Sequence, residues 1–394
     1  MGENDNGTGL TVLSFFDGMG CGQIALRELG IKVDKYYASE VDRHAIAQVR
    51  LNFPGTVHLG DVRGVSARDL PPIDLLIGGS PCTDFSFAGR RRGMATVANE
   101  QVTTLDRYME LKRDGFEFVG QSYLFWEYVR ILRECREKNP GVLFLLENVE
   151  MGRDRERVID EAVGVGGVHI NSALVSAQNR RRIYWTNIRT RSVGLFGDLV
   201  ADIPQPADRG IVLRDILEPE VLERYFLSQR AVERLGNGFR AEPALPSGKA
   251  DCLTVGGKRS KDLVMQLNGS TESGGKQPYQ QNRYYSTDGQ SPALMAGAGG
   301  RTVNIADTVC VASNGRDAVN NRTLIGQLQT TRIRRLTPTE CARLQTIPDW
   351  YQWECSETQQ YRMLGNGWTV EVIKHIFSFI DVDKILKRKH LNTE

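Results

Sequence analysis

The chain has 394 residues, of which 40% are hydrophobic and 25% charged, with a formal net charge of +2. Those proportions fit a folded globular protein and exclude a disordered or collagen-like chain. The longest apolar runs, such as 74–79 and 141–146, fall well short of a membrane span. The length favours a large domain with a smaller one attached. The seven cysteines are scattered with no Cys-x-x-Cys pair. That argues against a disulfide scaffold or a metal cluster and for a reducing, cytoplasmic setting.

In chain order, the N-terminal residues have neither a basic start nor an apolar stretch, so no signal peptide is expected. The first 190 residues then alternate strand-like and helical patterns, the mark of an α/β fold with a parallel sheet. Strands are predicted at 11–16, 35–41, 56–62, 74–80, 142–148 and 173–177. Helices are predicted at 23–29, 43–52 and 122–138, with an extra one at 105–113. From about 191 to 330 glycine, serine and asparagine rise and turns crowd together, among short β-like pieces at 262–266 and 302–305. This predicts a second, smaller, irregular, mostly β domain. Helical patterns at 337–345 and 370–386 then place residues 331–394 back on the first domain.

The first strand runs into Asp17-Gly18-Met19-Gly20-Cys21-Gly22. A glycine-rich turn at the carboxyl edge of a sheet lets a ligand approach the backbone. Position 23 is Gln, so the spacing is not that of a dinucleotide loop. Glu40 ends the second strand, where an acid accepts hydrogen bonds from ribose hydroxyls, and Asp61 ends the third, within reach of an adenine amino group. Together they point to an adenosine-type cofactor.

Pro81-Cys82 lifts a thiol to the end of the fourth strand, between Gly78-Gly79-Ser80 and an arginine-bearing polar segment. An isolated cysteine is usually a small buried hydrophobe, but this setting does not resemble core. Glu147 ends a very apolar strand. It is either a partly buried acid whose protonated form burial favours, or a salt-bridged structural glutamate. Arg180 and Arg182 alternate in an extended segment and so face one cleft. A thiol, an acid and two arginines can attack an electron-poor pyrimidine. The basic runs Arg90-Arg91-Arg92, Arg180-Arg181-Arg182, Lys258-Arg259-Ser260-Lys261 and 332–335 suit phosphates, or are solvated surface.

Gly79-Ser80-Pro81-Cys82 with Phe85-Ser86, Glu147-Asn148-Val149 and Gln178-x-Arg180-x-Arg182 resemble, in order, motifs of the DNA cytosine-5 methyltransferases. Phe16-Asp17-Gly18-x-Gly20 resembles that family's first motif. Arg335-Leu336-Thr337-Pro338-x-Glu340 with Arg343-Leu344-Gln345 and Gly365-Asn366-Gly367-Trp368 resemble its last two. Residues 37–41, 60–63 and 147–152 are most similar to the animal de novo enzymes. Those around 281–286 look more like bacterial and phage ones, so a compact prokaryotic or phage enzyme is expected.

The resemblance implies a Rossmann-like domain that binds S-adenosylmethionine and a target-recognition domain that meets double-stranded DNA. It implies that Cys82 adds to carbon 6 of a flipped cytosine, that Glu147 engages ring nitrogen 3, and that Arg182 and Arg180 steady the base and its phosphate. It places Phe16, Asp17, Gly18, Gly20, Gly22, Glu40, Val41, Asp61, Val62, Pro81, Leu124, Asn366 and Trp368 at the cofactor. Ser86, Arg90, Arg91 and Arg92 are expected at DNA, in a loop longer than the family's usual one. A related branch modifies transfer RNA, but its Cys-Phe-Thr signature is absent from the sequence. A catalytically silent DNA-binding protein is the other alternative.

Overall fold

The computed structural model describes residues 8–81, 102–116, 118, 121, 123–195, 197–228, 284–286, 290–294, 304–311 and 328–391. The first unit is built on β1 (Leu10–Phe15), β2 (Val33–Ser39), β3 (Val57–His58), β4 (Leu75–Gly79), β5 (Leu143–Val149), β6 (Val168–Asn171), β7 (Gln178–Asn179) and β8 (Arg181–Thr186). Seven of these make one sheet in the order β3-β2-β1-β4-β5-β8-β6. It is parallel from β3 through β5, and β8 enters antiparallel to both β5 and β6. The order reverses at β1, so the cleft above β1 and β4 is the switch point where such sheets bind ligands.

Both faces of the sheet are covered, which is why its strands read as nearly continuous apolar runs. Along β1 the side chains alternate: Leu10 and Val12 enter one core layer, Leu13 and Phe15 the other. The first layer is closed by α1 (Cys21–Glu28) and α8 (Val370–Phe377), and α2 (Arg43–Asn52) adds Ala45. The second is closed by α3 (Leu105–Arg113), α4 (Leu124–Lys138) and α5 (Arg153–Val163). The additional helix predicted at 105–113 is therefore present. Its N-cap is Thr104, whose hydroxyl accepts from Arg107 N.

Three predicted elements differ. Residues 173–177 are not a strand, because the Asn171 side chain accepts from the amides of Ala173 and Arg180, at 3.1 and 3.0 Å. That local bonding folds a 3₁₀ turn at Ser172–Leu174 in place of a ladder. The single helix expected over 370–386 is two, α8 and α9 (Val382–Leu391). Asp381 Oδ1 accepts from Lys384 N at 3.0 Å, restarting the helix. The third strand is also shorter than predicted, since the Asp61 carboxylate accepts from Arg63 N and opens a 3₁₀ turn at Val62–Gly64.

Packing of the first unit runs past residue 190. The hairpin of β9 (Thr190–Val193) and β10 (Asp198–Ala201) bridges to Gly166, and Ile203, Leu213 and Ile216 join the first core layer. Within the region expected to be mostly β, β11 (Tyr284–Ser286), β13 (Asn304–Val311) and β14 (Leu328–Arg335) form a three-stranded sheet. β12 (Ser291–Pro292) pairs with β7. β13 overlaps the piece predicted at 302–305, whereas 262–266 lies outside the described residues. The chain returns through α6 (Pro338–Leu344) and α7 (Glu357–Asn366). No helix among the described residues is long and apolar enough to cross a membrane.

Candidate active site

The turn after β1 is shaped by backbone that side chains rarely tolerate. Phe16 has φ +55°, Gly18 +56° and Gly20 +81°. A non-glycine residue held there carries strain, which concentrates at ligand sites. Gly22 matters for another reason: a Cβ on it would stand 2.3 Å from Ile77 Cδ1, so with a side chain there Ile77 would have to shift for α1 to dock as it does. Glu40 closes the turn from β2. Its Oε2 accepts from Gly18 N at 2.8 Å, and Oε1 accepts from the amides of Val41 and Asp42 at 2.7 and 2.8 Å. Val41 then projects with 70% of its surface exposed, apolar and next to the acid.

Asp17 lies beneath this turn. Its Oδ1 accepts from Ser14 Oγ at 2.6 Å and Tyr36 Oη at 2.8 Å, while its buried Oδ2 has no hydrogen-bond partner. Burial raises the carboxyl to about 6, against the pull of those two hydroxyls. Cys21 beside it is buried as well and its thiol is pushed up to about 12, so it stays protonated and unreactive. At the far end of the cleft the Asp61 side chain is 40% exposed but already paired. Arg63 holds it through Nη2 at 2.6 Å and Nε at 3.0 Å, which keeps its carboxyl below the usual range. The Val62 side chain is buried beside it.

Three chain-distant segments meet at Glu147. β5 brings it level with Gly79 at the end of β4 and opposite Tyr184 of β8. Its Oε1 faces Arg182 Nε at 2.9 Å and its Oε2 accepts from Trp368 Nε1 at 3.0 Å. Only 8% of the residue is exposed. Of the two sequence readings of Glu147, the burial and the salt bridge are both present; a guanidinium and an indole N–H meet this carboxylate. Next to it, Asn148 Nδ2 donates to Ser80 Oγ at 2.9 Å, fixing the backbone just before Pro81. A side chain at Gly79 would collide with Trp368 and Glu147 at 2.9 and 3.0 Å, so the narrow gap needs that glycine.

Arg180 behaves differently from Arg182. It is 4% exposed, and its guanidinium donates to the carbonyls of Gly367 at 2.9 Å, Leu294 at 3.3 Å and Gly365 at 3.4 Å. The two arginines thus reach opposite sides of the Gly367–Trp368 step, Arg182 at the acid and Arg180 beneath the backbone. They do not open together onto one cleft, because Arg180 sits in the break between β7 and β8. Gln345 completes the clasp by donating to Leu364 O at 2.7 Å and accepting from Thr369 Oγ1 at 2.9 Å.

Pro81 and Leu124 stand at the end of β4 and the start of α4, and Asn366 is exposed at the end of α7. Cys82, Ser86, Arg90, Arg91 and Arg92 lie outside the described residues. Ser14, Tyr36, Asn148 and Gln345 carry no role in the sequence reading. Asn148 and Gln345 stand inside quoted motifs, which is the one signal that could have found them.

The family profile described as C-5 cytosine-specific DNA methylase matches residues 10–381. An orphan methyltransferase of Bacillus phage SPbeta, M.SPBetaI, is 27% identical over 446 aligned positions, covering 93% of this chain and 96% of the phage protein. The type II methyltransferase M.HgiCI of Herpetosiphon aurantiacus is 26% identical over 405 positions, covering 89% and 92%. Among solved structures, the S. pombe Dnmt2 methyltransferase shares the fold with a TM-score of 0.53 at 16% identity, covering 96% of this chain and 99% of that one.

Proposed function

The chain belongs to the C-5 cytosine-specific DNA methylase family, and on that premise we propose that it methylates carbon 5 of a cytosine flipped out of duplex DNA, through a covalent adduct with Cys82. The observation that carries this reading is the Glu147 site, where an acid is held between Arg182 and Trp368 beside the end of β4.

The residues present fit S-adenosylmethionine. The glycine turn brings the half-buried backbone of 16–18 to the cleft, Glu40 stands at its mouth for a ribose, Val41 offers an apolar face, and Asp61 with Val62 stands where an adenine edge would lie. Phe16, Asp17, Gly20, Pro81, Leu124, Asn366 and Trp368 would complete the pocket, with Gly22 letting α1 approach. When bound, that cofactor supplies a methyl group on a cationic sulfur.

The reacting carbons are stacked inside duplex DNA, so the base must leave the helix, at a cost of a few kcal/mol recovered by pocket contacts. Cys82 adds as thiolate to carbon 6, and the displaced electron pair moves toward ring nitrogen 3 and carbon 5. Glu147 meets nitrogen 3 and neutralises it with a proton. Arg182 orients Glu147, and Arg180 acts as a positioning residue for the segment that carries Trp368. Carbon 5 becomes nucleophilic, and once it is methylated, loss of its proton to water expels the thiolate while nitrogen 3 returns its proton to Glu147, which restores the ring.

Ser86, Arg90, Arg91 and Arg92 are assigned to DNA. The 191–330 region is assigned to target recognition, where groove contacts choose the sequence and arginines hold phosphates. The phage and bacterial relatives favour work in the cytoplasm of a bacterium or an infected host. The test is a duplex carrying 5-fluorocytosine at the target, incubated with cofactor. A covalent adduct is expected, and Cys82→Ser should abolish it; an undiminished adduct in that variant contradicts the mechanism. Transfer of methyl groups to transfer RNA but not to duplex DNA would overturn the substrate.

A further inference from the structure

α3 plays no part in the reaction outlined above. One face, with Leu105, Tyr108 and Leu111, is buried in the second core layer. From its polar edge, Tyr108 Oη and Lys112 Nζ both donate to Glu127 Oε1 at 2.5 Å. Glu127, on α4, is fully buried, and its other oxygen accepts from Arg130 Nε at 2.8 Å. Arg130 also donates to Glu134 Oε1 at 2.8 Å and to the carbonyl of Val65 at 2.7 Å. Glu134 Oε2 in turn accepts from Ala67 N at 2.8 Å. The chain of charges that begins on α3 therefore ends on the backbone of residues 65–67.

That end point is what matters. The stretch after Asp61 consists of two short 3₁₀ turns, Val62–Gly64 and Ala67–Asp69, with no ladder from the sheet to set its shape. Its backbone polar groups need partners all the same, and α4 supplies them at Val65 and Ala67. If the network served only to join α3 to α4, it would close between helices, as the exposed Arg133–Asp106 pair does at 3.2 Å. Lys112 also lies near enough to Asp61 to help lower its carboxyl pKa.

We propose that α3 is a positioning device for the cofactor: through Glu127 and Arg130 it fixes the 61–67 segment against which the adenine rests. This rests on the cofactor reading above. Arg130 and Lys112 are positioning residues, touching neither the cofactor nor the reacting atoms.

The test is calorimetric binding of S-adenosylhomocysteine to the full chain. Arg130→Lys keeps the charge but cannot span Glu127, Glu134 and Val65 together. Its Kd should rise about tenfold, the size of one charge-assisted hydrogen bond felt at the ligand. Lys112→Met, at a half-exposed site that tolerates change, should raise it about threefold, since Glu127 keeps Arg130 and Tyr108. Arg133→Ala, which breaks an α3–α4 contact that does not reach 65–67, should bind like wild type. In rate assays the first two variants should raise KM for S-adenosylmethionine with little change in kcat. Unaltered Kd in both, or an equal loss in Arg133→Ala, overturns the proposal. A wild type that takes up no S-adenosylhomocysteine overturns the cofactor reading itself, and this one with it.

Discussion

Asp17 carries a buried carboxyl oxygen with no partner, beneath a turn that carries strain of its own. With a carboxyl near 6 in the folded chain and 3.8 in the open one, folding favours the protonated form. The stabilisation this gives is complete below about pH 4 and is lost as pH rises to about 6, a difference on the order of 3 kcal/mol. Thermal melts of the ligand-free protein should show Asp17→Asn losing that part of the decline between pH 4 and 6. A slope equal to wild type would show that Asp17 does not titrate there. Glu147 and Arg182 stand in motifs visible in the sequence and lie 2.9 Å apart, but the bond from Trp368 to Glu147 was not legible there. Nor was the site of Arg180, because alternation predicts a shared face only along an unbroken strand, and the chain leaves the ladder at that residue.

At the scale of elements, α1 is placed by what Gly22 lacks. The glycine faces Ile77 Cδ1 at 2.3 Å and Tyr36 Oη at 3.2 Å, from a virtual Cβ. Gly22→Ala should therefore overpack the interface and cost about 1–3 kcal/mol in urea unfolding. Ile77→Val removes the facing methyl, so in the double variant the two losses should fall short of additive. Strict additivity would show that the contact relaxes elsewhere. The parallel strands were readable as apolar runs ending in polar residues, and α3 was expected at its observed place. What failed were stretches where side chains bond the backbone. Asn171 folds a turn out of an apolar run, and Asp381 restarts a helix inside a continuous one. Composition scores such positions as ordinary, since the deciding bond runs to an amide a few residues on.

At the scale of the molecule, β14 and α6 are tied together through Arg334 and Glu340, both fully buried. Two parallel bonds of 2.8 Å link them, and Glu340 also accepts from the amides of Thr337 and Glu218. Removing one partner of such a pair leaves a buried charge uncompensated. Arg334→Met should lower stability by about 3–5 kcal/mol. Arg334→Met with Glu340→Gln should lose less than the two single variants together, read by urea unfolding. Full additivity would show that the charges do not act on each other. The change of texture near residue 190 was visible in composition. The extent of the first unit was not, since Ile203, Leu213 and Ile216 join its core from beyond the change in texture.

The Gly367–Trp368 step has a bearing on when the protein can work. Its carbonyl seats Arg180 and its indole seats Glu147, so groups laid down early in synthesis wait for a partner made near the end. Until that step has emerged from the ribosome, the Arg180 guanidinium and the Glu147 carboxylate lack these partners. A chain cut between residues 182 and 367 should therefore yield fragments that lack both contacts until they meet.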